Sequence, residues 1–169
     1  MFFLKDLPTD GTLSEFAKRY ADLEPSALKA CVSLLRTGSD TLAAFERHLG
    51  RHDLSQGSFL TLIVMNRTPE EEAVPSVLAE QVGVTRATMT GLLDRLERKG
   101  YVARFAHSKD RRKITVQLTP SGRSVLNGML PDYYGHIAKL MKNLDESERQ
   151  NLISLLEKVN QGLETLPSG

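Results

Sequence analysis

Residues 76–96 read SVLAEQVGVTRATMTGLLDRL, and this stretch decides the fold. Apolar residues recur at helical spacing on both sides of Gly83-Val84, which predicts two short helices over residues 76–82 and 85–99. Gly83 allows a tight turn between them, because glycine adopts backbone conformations that other residues avoid. Six side chains are expected to face inward: Leu78, Val82, Met89, Leu92, Leu93 and Leu96. The stretch therefore predicts a helix-turn-helix.

The outward face of the second predicted helix carries hydroxyls and guanidinium groups. It presents Thr85, Arg86, Thr88, Thr90 and Arg95. An arginine can bond guanine in the major groove, and a threonine can bond base edges or phosphates. The plain alternative is a pair of surface helices with ordinary polar side chains. We expect these five residues to contact DNA.

A hairpin follows the two helices. Residues 101–105 and 113–118 are predicted strands, and the polar segment 107–112 joins them. Lys109, Arg111 and Arg112 give this segment three cations, which suit the DNA backbone or the minor groove. A carboxylate near phosphate is repulsive, so we expect Asp110 to hold one of the two arginines in place. The hairpin is interpreted as a wing, with a solvated hairpin tip as the alternative.

The distribution of charge supports a nucleic-acid partner. The whole chain carries a net charge of only +1. Residues 84–113 contain nine Lys or Arg against three acidic residues, so this window carries +6 and the remainder −5. A basic module on an acidic frame is expected where one face meets phosphates. A charged surface without any partner is the competing interpretation.

Helical patterns flank the helix-turn-helix on both sides. Thr12 and Glu15 form a candidate capping box for a helix over 13–21, and longer helices are predicted over 26–48, 56–66, 120–144 and 146–166. Pro131 is expected to kink or interrupt the helix over 120–144. We predict a mainly α fold in one domain over 1–169. A winged helix-turn-helix lobe spans about 54–119, and helices over 12–50 and 120–166 form a dimerisation region.

Composition excludes several classes of protein. With 169 residues, 40% hydrophobic and 25% charged, the chain is typical of a soluble globular protein, and no leader or stretch of about 18 apolar residues is found. We expect a cytoplasmic protein without membrane association. No arrangement of nucleophile, base and orienting acid is found, so neither an enzyme nor a cofactor is expected. His48 and His52 are four residues apart, but a helix end at Gly50 separates them, and no metal site is expected.

These residues resemble the MarR (multiple antibiotic resistance regulator) family. The resemblance rests on TRATMTGLLDRLERKGYV at residues 85–102, on Asp110-Arg111-Arg112, and on LTPSG at residues 118–122. It implies a homodimer with interleaved terminal helices that binds a pseudo-palindromic double-stranded operator, usually as a repressor released by a small ligand. It also implies that Arg112 enters the minor groove while Asp110 anchors it.

The resemblance implies a ligand pocket between the dimerisation helices and the DNA-binding lobe. It maps to Leu34, His48, Phe59, Met65, Tyr133 and His136. The expected effector is a small aromatic or phenolic molecule. An alternative is redox sensing by Cys31, although its neighbours Leu28, Val32 and Leu35 favour a buried, inert thiol. A further alternative is a winged-helix protein interaction module without specific DNA binding.

Overall fold

The computed structural model describes residues 8–67, 72–106 and 114–166. Within them the chain is mainly α with one β-hairpin, which confirms the predicted fold class. The elements in chain order are α1 (Asp10–Arg19), α2 (Pro25–Gly50), α3 (Gln56–Met65), α4 (Pro75–Val82), α5 (Arg86–Arg98), β1 (Val102–Ala106), β2 (Ile114–Leu118), α6 (Pro120–Met141) and α7 (Glu146–Leu163). The chain divides into two compact units, Met1–Gly122 and Arg123–Gly169. None of the helices in the described ranges is long and apolar enough to span a membrane.

Local signals start and end most of these helices. Ser55 and Thr85 cap α3 and α5, and each side chain accepts a hydrogen bond from the backbone three residues later. Asp145 and Glu148 form the capping box of α7. Gly83 ends α4 in the left-handed conformation at φ 74°, and Gly100 follows α5 at φ 69°. Glycine adopts this conformation without steric cost, which explains both positions.

Two local expectations were wrong. Thr9 rather than Thr12 caps α1, because the Thr9 hydroxyl accepts the Thr12 backbone N–H at 3.2 Å. The helix therefore begins three residues before the predicted position. Pro131 does not interrupt α6, which continues from Pro120 to Met141, so the expected interruption is wrong and the expected kink stays a prediction. A proline removes one backbone donor, and the remaining bonds of a long helix keep its two sides continuous.

The lobe of α3, α4, α5, β1 and β2 is built around one apolar core. β1 and β2 pair antiparallel, with Val102 opposite Leu118. Ala73 adds an isolated bridge to Val116, with backbone hydrogen bonds of 2.9 and 2.8 Å. Five of the six residues predicted to face inward are buried, and Val82 is half-buried. The core is completed by Phe59, Leu62, Val102, Val116 and Leu118.

A hydrogen-bonded clasp joins the end of α5 to the start of α6. The Thr119 N–H donates to the Tyr101 carbonyl at 3.0 Å, and the Thr119 hydroxyl donates to the Gly100 carbonyl at 2.7 Å. The same hydroxyl accepts the Gly122 N–H at 3.0 Å. We call Gly100, Tyr101, Thr119 and Gly122 the wing-base clasp, because they lie where α5 connects to β1 and where β2 connects to α6. The clasp fixes the base of the hairpin relative to α5.

The long helices expose apolar side chains in the isolated chain. None of the residues of α7 is buried, although Leu155, Val159 and Leu163 lie on one stripe of it. Leu35 and Leu42 of α2 are each 49% exposed. Cys31 of α2 is exposed as well, so the expectation of a buried thiol is wrong for the single chain. Of its apolar neighbours, Leu35 is exposed and Leu28 and Val32 are only half-buried by the described residues, which sequence periodicity does not reveal.

Candidate nucleic-acid interface

The first turn of α5 is an organised polar surface. The Thr85 hydroxyl accepts the Thr88 N–H at 3.1 Å and lies 2.9 Å from the Thr88 hydroxyl, while the Thr90 hydroxyl donates to the Arg86 carbonyl at 3.0 Å. All four of these residues are exposed. The predicted reading residues at the start of α5 therefore lie together in solvent, and their rotamers are restrained by local bonds.

Arg86 is the first residue of α5 and is exposed. Within the described residues its guanidinium forms no ion pair. The positive end of the helix dipole lies at the same place and favours negative charge such as phosphate. This combination of a guanidinium, hydroxyls and a helix N-terminus is suited to the edge of a DNA groove.

Arg95 lies on a different side of α5. It comes nine residues after Arg86, which is about two and a half turns of an α-helix, so the two side chains leave the helix in nearly opposite directions. Arg95 lines a cavity of about 430 Å³ together with Gly50, Asp53, Leu54, Ser55, Ser58, Leu96, Arg98 and Lys99. Its predicted contact with DNA stays a prediction.

An ion pair crosses this cavity. The Lys99 ammonium lies 2.5 Å from the Asp53 carboxylate and also donates to the Asp53 carbonyl. Asp53 has a positive φ of 54°, in the turn between α2 and α3. The pair joins that turn to the end of α5, so it ties the C-terminus of the candidate reading helix to the α2–α3 corner.

A second ionic contact joins α5 to the hairpin. Arg104 of β1 approaches the Asp94 carboxylate at 2.6 Å and the Glu97 carboxylate at 3.0 Å. Sequence reasoning counted Arg104 only in the charge balance and missed this contact. The one available signal was the three-residue spacing of the two acids, which places them on the same side of a helix.

The predicted wing tip lies outside the described residues. This applies to Lys109, Asp110, Arg111 and Arg112. Their roles in binding DNA, and the anchoring role of Asp110, stay predictions. Both strands that lead to the tip are present, and their predicted bounds were correct to within one residue at each end.

The residues of the expected ligand pocket lie in several environments. Phe59, Met65 and His48 are buried, whereas Leu34 is 39% exposed. Leu34 and Met65 line different cavities, of about 540 and 180 Å³. Tyr133 and His136 lie on α6. The ligand pocket that the family resemblance implies is formed by several helices. The assignment of these six residues to it stays a prediction.

The structure describes local interactions for two of the six expected pocket residues, Tyr133 and His136. Burial, with a smaller contribution from Tyr134, raises the pKa of the Tyr133 hydroxyl above its usual value of 10.0. The Nδ1 atom of His136 lies 2.8 Å from the Asp132 carbonyl one turn earlier in α6. Tyr133 is therefore a neutral hydroxyl at physiological pH.

Comparisons with known proteins agree on one family. The sequence profile of the MarR family matches residues 54–114. Over 153 residues the chain is 33% identical to the HTH-type transcriptional repressor YetL of Bacillus subtilis, and the match covers 90% of this chain and 92% of YetL.

Solved structures share the fold. Bordetella bronchiseptica BpsR, whose DNA binding is regulated by 6-hydroxynicotinic acid, matches with a TM-score of 0.67 and 23% identity over 78% of this chain and 98% of BpsR. MepR of S. aureus in complex with DNA matches with a TM-score of 0.69 and 20% identity over 79% of this chain and 95% of MepR. At these identities the matches establish the architecture alone.

Proposed function

The chain belongs to the MarR family of DNA-binding transcriptional regulators, and we propose that it is a homodimeric repressor that binds a pseudo-palindromic operator and is released by a small molecule. One observation carries the assignment of the reading surface. The N-terminus of α5 presents Arg86, without an ion pair in the described part of the chain, beside three exposed threonines. The Arg86 guanidinium is a donor for base edges and phosphates, and the neighbouring threonines place hydroxyl and methyl groups beside it. The proposed site of action is the cytoplasm.

The roles of the individual residues differ. Thr85, Arg86, Thr88 and Thr90 read base edges or the adjacent phosphates from the start of α5. Lys109, Arg111 and Arg112 bind the DNA backbone or the minor groove from the wing, and Asp110 anchors them. Arg95 differs from the other reading residues in position, since it lines the cavity beside Lys99.

Substitution of the arginines tests the proposal. We expect Arg86→Ala and Arg112→Ala each to weaken binding to an operator selected from a random duplex library by about 1–3 kcal/mol. Lys18→Ala is a matched control, because it removes one cation from an exposed pair with Glu15 in α1. If both arginine variants bind like the control, α5 and the wing do not contact DNA. In that case another surface binds the operator, whereas failure to select any duplex from the library would favour the protein interaction module.

The proposed homodimer is supported by the uncovered apolar stripe of α7. Leu155, Val159 and Leu163 are 58%, 49% and 58% exposed, and an amphipathic helix of 18 residues with no buried side chain is not stable alone in water. A second copy supplies an apolar partner of the same kind. Two lobes held one helical turn of DNA apart would also double the contacts with the operator.

Charge placed on that stripe tests the dimer. Leu155→Glu puts a carboxylate on the exposed apolar stripe, whereas Ser154→Glu puts the same charge on the opposite side of α7. Sedimentation equilibrium should give a dimer for the wild-type protein and for Ser154→Glu, and a large shift toward monomer for Leu155→Glu. Equal dimerisation of the two variants would exclude the stripe from the interface.

A small aromatic or phenolic effector is supported by the relative BpsR, whose DNA binding responds to 6-hydroxynicotinic acid. The proposed pocket residues are Leu34, His48, Phe59, Met65, Tyr133 and His136. Thermal-shift measurements against aromatic carboxylates would identify a ligand, because a molecule that binds the folded state raises its melting temperature. A ligand that raises the melting temperature and weakens operator binding is expected. A ligand that strengthens operator binding would contradict release.

A further inference from the structure

Arg104 holds two carboxylates of α5 at once. Its two terminal nitrogens lie 2.6 Å from an oxygen of Asp94 and 3.0 Å from an oxygen of Glu97. The Arg104 side chain is 26% exposed, while Asp94 and Glu97 are 49% and 40% exposed. The guanidinium is therefore more enclosed than either carboxylate, and its donors are directed to α5 rather than to solvent.

The two carboxylates lie on the side of α5 that carries Arg86. Glu97 comes eleven residues after Arg86, which is about three full turns, and Asp94 comes eight residues after it, which is about two and a quarter turns. Glu97 therefore lies nearly in line with Arg86, and Asp94 lies about a quarter turn around the helix from it, both about 12–17 Å farther along the helix axis. Uncompensated negative charge at this place would repel DNA phosphates.

We propose that Arg104 compensates part of the negative charge of Asp94 and Glu97, so that the DNA-facing side of α5 repels the phosphates less than the two carboxylates would alone. Arg104 is a positioning residue in this proposal, because it acts on DNA through the two carboxylates and not by contact. The inference rests on the proposed role of α5 in binding DNA. It adds a residue from the base of the wing to the determinants of affinity.

The salt dependence and sequence dependence of the effect follow from its electrostatic origin. At about 0.1 M salt, the interaction between exposed charges is screened over about 10 Å. The repulsion between the two carboxylates and the DNA phosphates should therefore be strongest at lower ionic strength. The repulsion acts on phosphates and does not depend on base sequence. Loss of Arg104 should weaken operator and random-sequence duplexes by the same factor and leave their ratio unchanged.

The test removes the cation and then the two anions. In about 50 mM salt we expect Arg104→Gln to lower the affinity for a duplex by about three- to tenfold, and Lys18→Gln to change it by less than about twofold. Adding Asp94→Asn and Glu97→Gln to Arg104→Gln should restore affinity to within about twofold of the wild type. If the triple variant stays as weak as Arg104→Gln, Arg104 acts by contact or by shape, and the proposal is wrong.

Two further variants keep the test decisive if Arg104→Gln unfolds. Arg104→Lys retains the charge and should bind DNA within about twofold of the wild type. Asp94→Asn with Glu97→Gln leaves Arg104 in place and should bind at least as tightly as the wild type, whereas weaker binding would overturn the proposal. Thermal unfolding of each variant is measured in parallel to show that the variant is folded. Partly exposed ion pairs contribute little to stability, so the melting temperatures should stay close to that of the wild type.

Failure of this inference is distinguishable from failure of the proposed function. The wild-type protein is first measured on a selected operator and on a random 30-base-pair duplex. Absence of any preference for the selected duplex would refute specific DNA reading. The Arg104 comparison uses the random duplex as well, so its outcome is obtained whether or not an operator is found.

Discussion

Replacing Gly122 by alanine would place a Cβ atom 2.1 Å from the Tyr101 carbonyl oxygen, 2.9 Å from the Tyr101 carbonyl carbon and 3.0 Å from Cδ1 of Leu118. The first two are backbone atoms, so no side-chain rotation relieves the overlap. The Tyr101 carbonyl also accepts the Thr119 N–H in the wing-base clasp. The substitution must therefore displace the start of α6 from the end of α5 and strain that hydrogen bond.

The expected loss of stability combines three contributions. Forced displacement of a packed backbone costs about 1–3 kcal/mol, and a weakened hydrogen bond adds about 1 kcal/mol. Alanine returns up to about 1 kcal/mol, because it is a better helix former than glycine. We expect a net destabilisation of about 1–4 kcal/mol. For a chain of this size, this lowers the melting temperature by about 2–16 °C.

Thermal unfolding followed by far-ultraviolet circular dichroism measures this change at a fixed protein concentration, since a dimer's stability depends on concentration. Gly128→Ala is the matched control, because Gly128 lies in the same helix and a Cβ atom there meets nothing within 4 Å. It should melt at the wild-type temperature or slightly above. If Gly122→Ala melts within about 1 °C of Gly128→Ala, the close approach at Tyr101 does not limit stability.

Three other predictions concern local features. Thr85→Ala should lower the free energy of unfolding by about 1 kcal/mol through loss of the α5 cap, whereas Thr85→Ser should retain it; equal urea midpoints would contradict the cap. Hydrogen bonds from Arg149 and Gln150 lower the pKa of Glu146, so its contribution to stability is present at neutral pH and lost as the pH falls through the titration of Glu. The melting temperature of Glu146→Gln should therefore differ more from the wild type at pH 7 than at pH 3.5, and a difference independent of pH would refute this. Cys31 forms no hydrogen bond within the described residues, so we expect an organic hydroperoxide to leave operator binding unchanged in the wild type and in Cys31→Ser; release of the wild type alone would establish redox sensing.

The local features of the DNA-binding lobe were predictable from sequence. The caps Ser55 and Thr85 and the helix-ending glycines Gly83 and Gly100 depend on atoms a few residues apart, so residue type and spacing are sufficient to identify them. The inward side of α5 followed from its apolar period for the same reason. The error at α1 was also local, because Thr9 and Thr12 are both acceptable caps and sequence does not rank them.

Contacts between distant residues required the tertiary structure. The bridge from Ala73 to Val116, the ion pair of Lys99 with Asp53 and the exposure of Cys31 depend on which segments lie side by side, and a single sequence carries no signal for this. The candidate ligand pocket remains a prediction because it depends on several helices at once. Its residues are individually indistinguishable by pattern from core residues.

By itself, the sequence determined that two helices, a tight turn and a hairpin follow one another, and that hydroxyls and Arg86 begin the second helix. These properties follow from backbone preferences and short-range hydrogen bonds. Only the tertiary structure showed that Arg95 lines a cavity and that Arg104 contacts Asp94 and Glu97. It also showed that the Tyr101 carbonyl leaves no room for a side chain at Gly122. Those contacts arise when the apolar core forms and fixes the distances between segments, so the electrostatics around α5 are decided by packing and not by order along the chain.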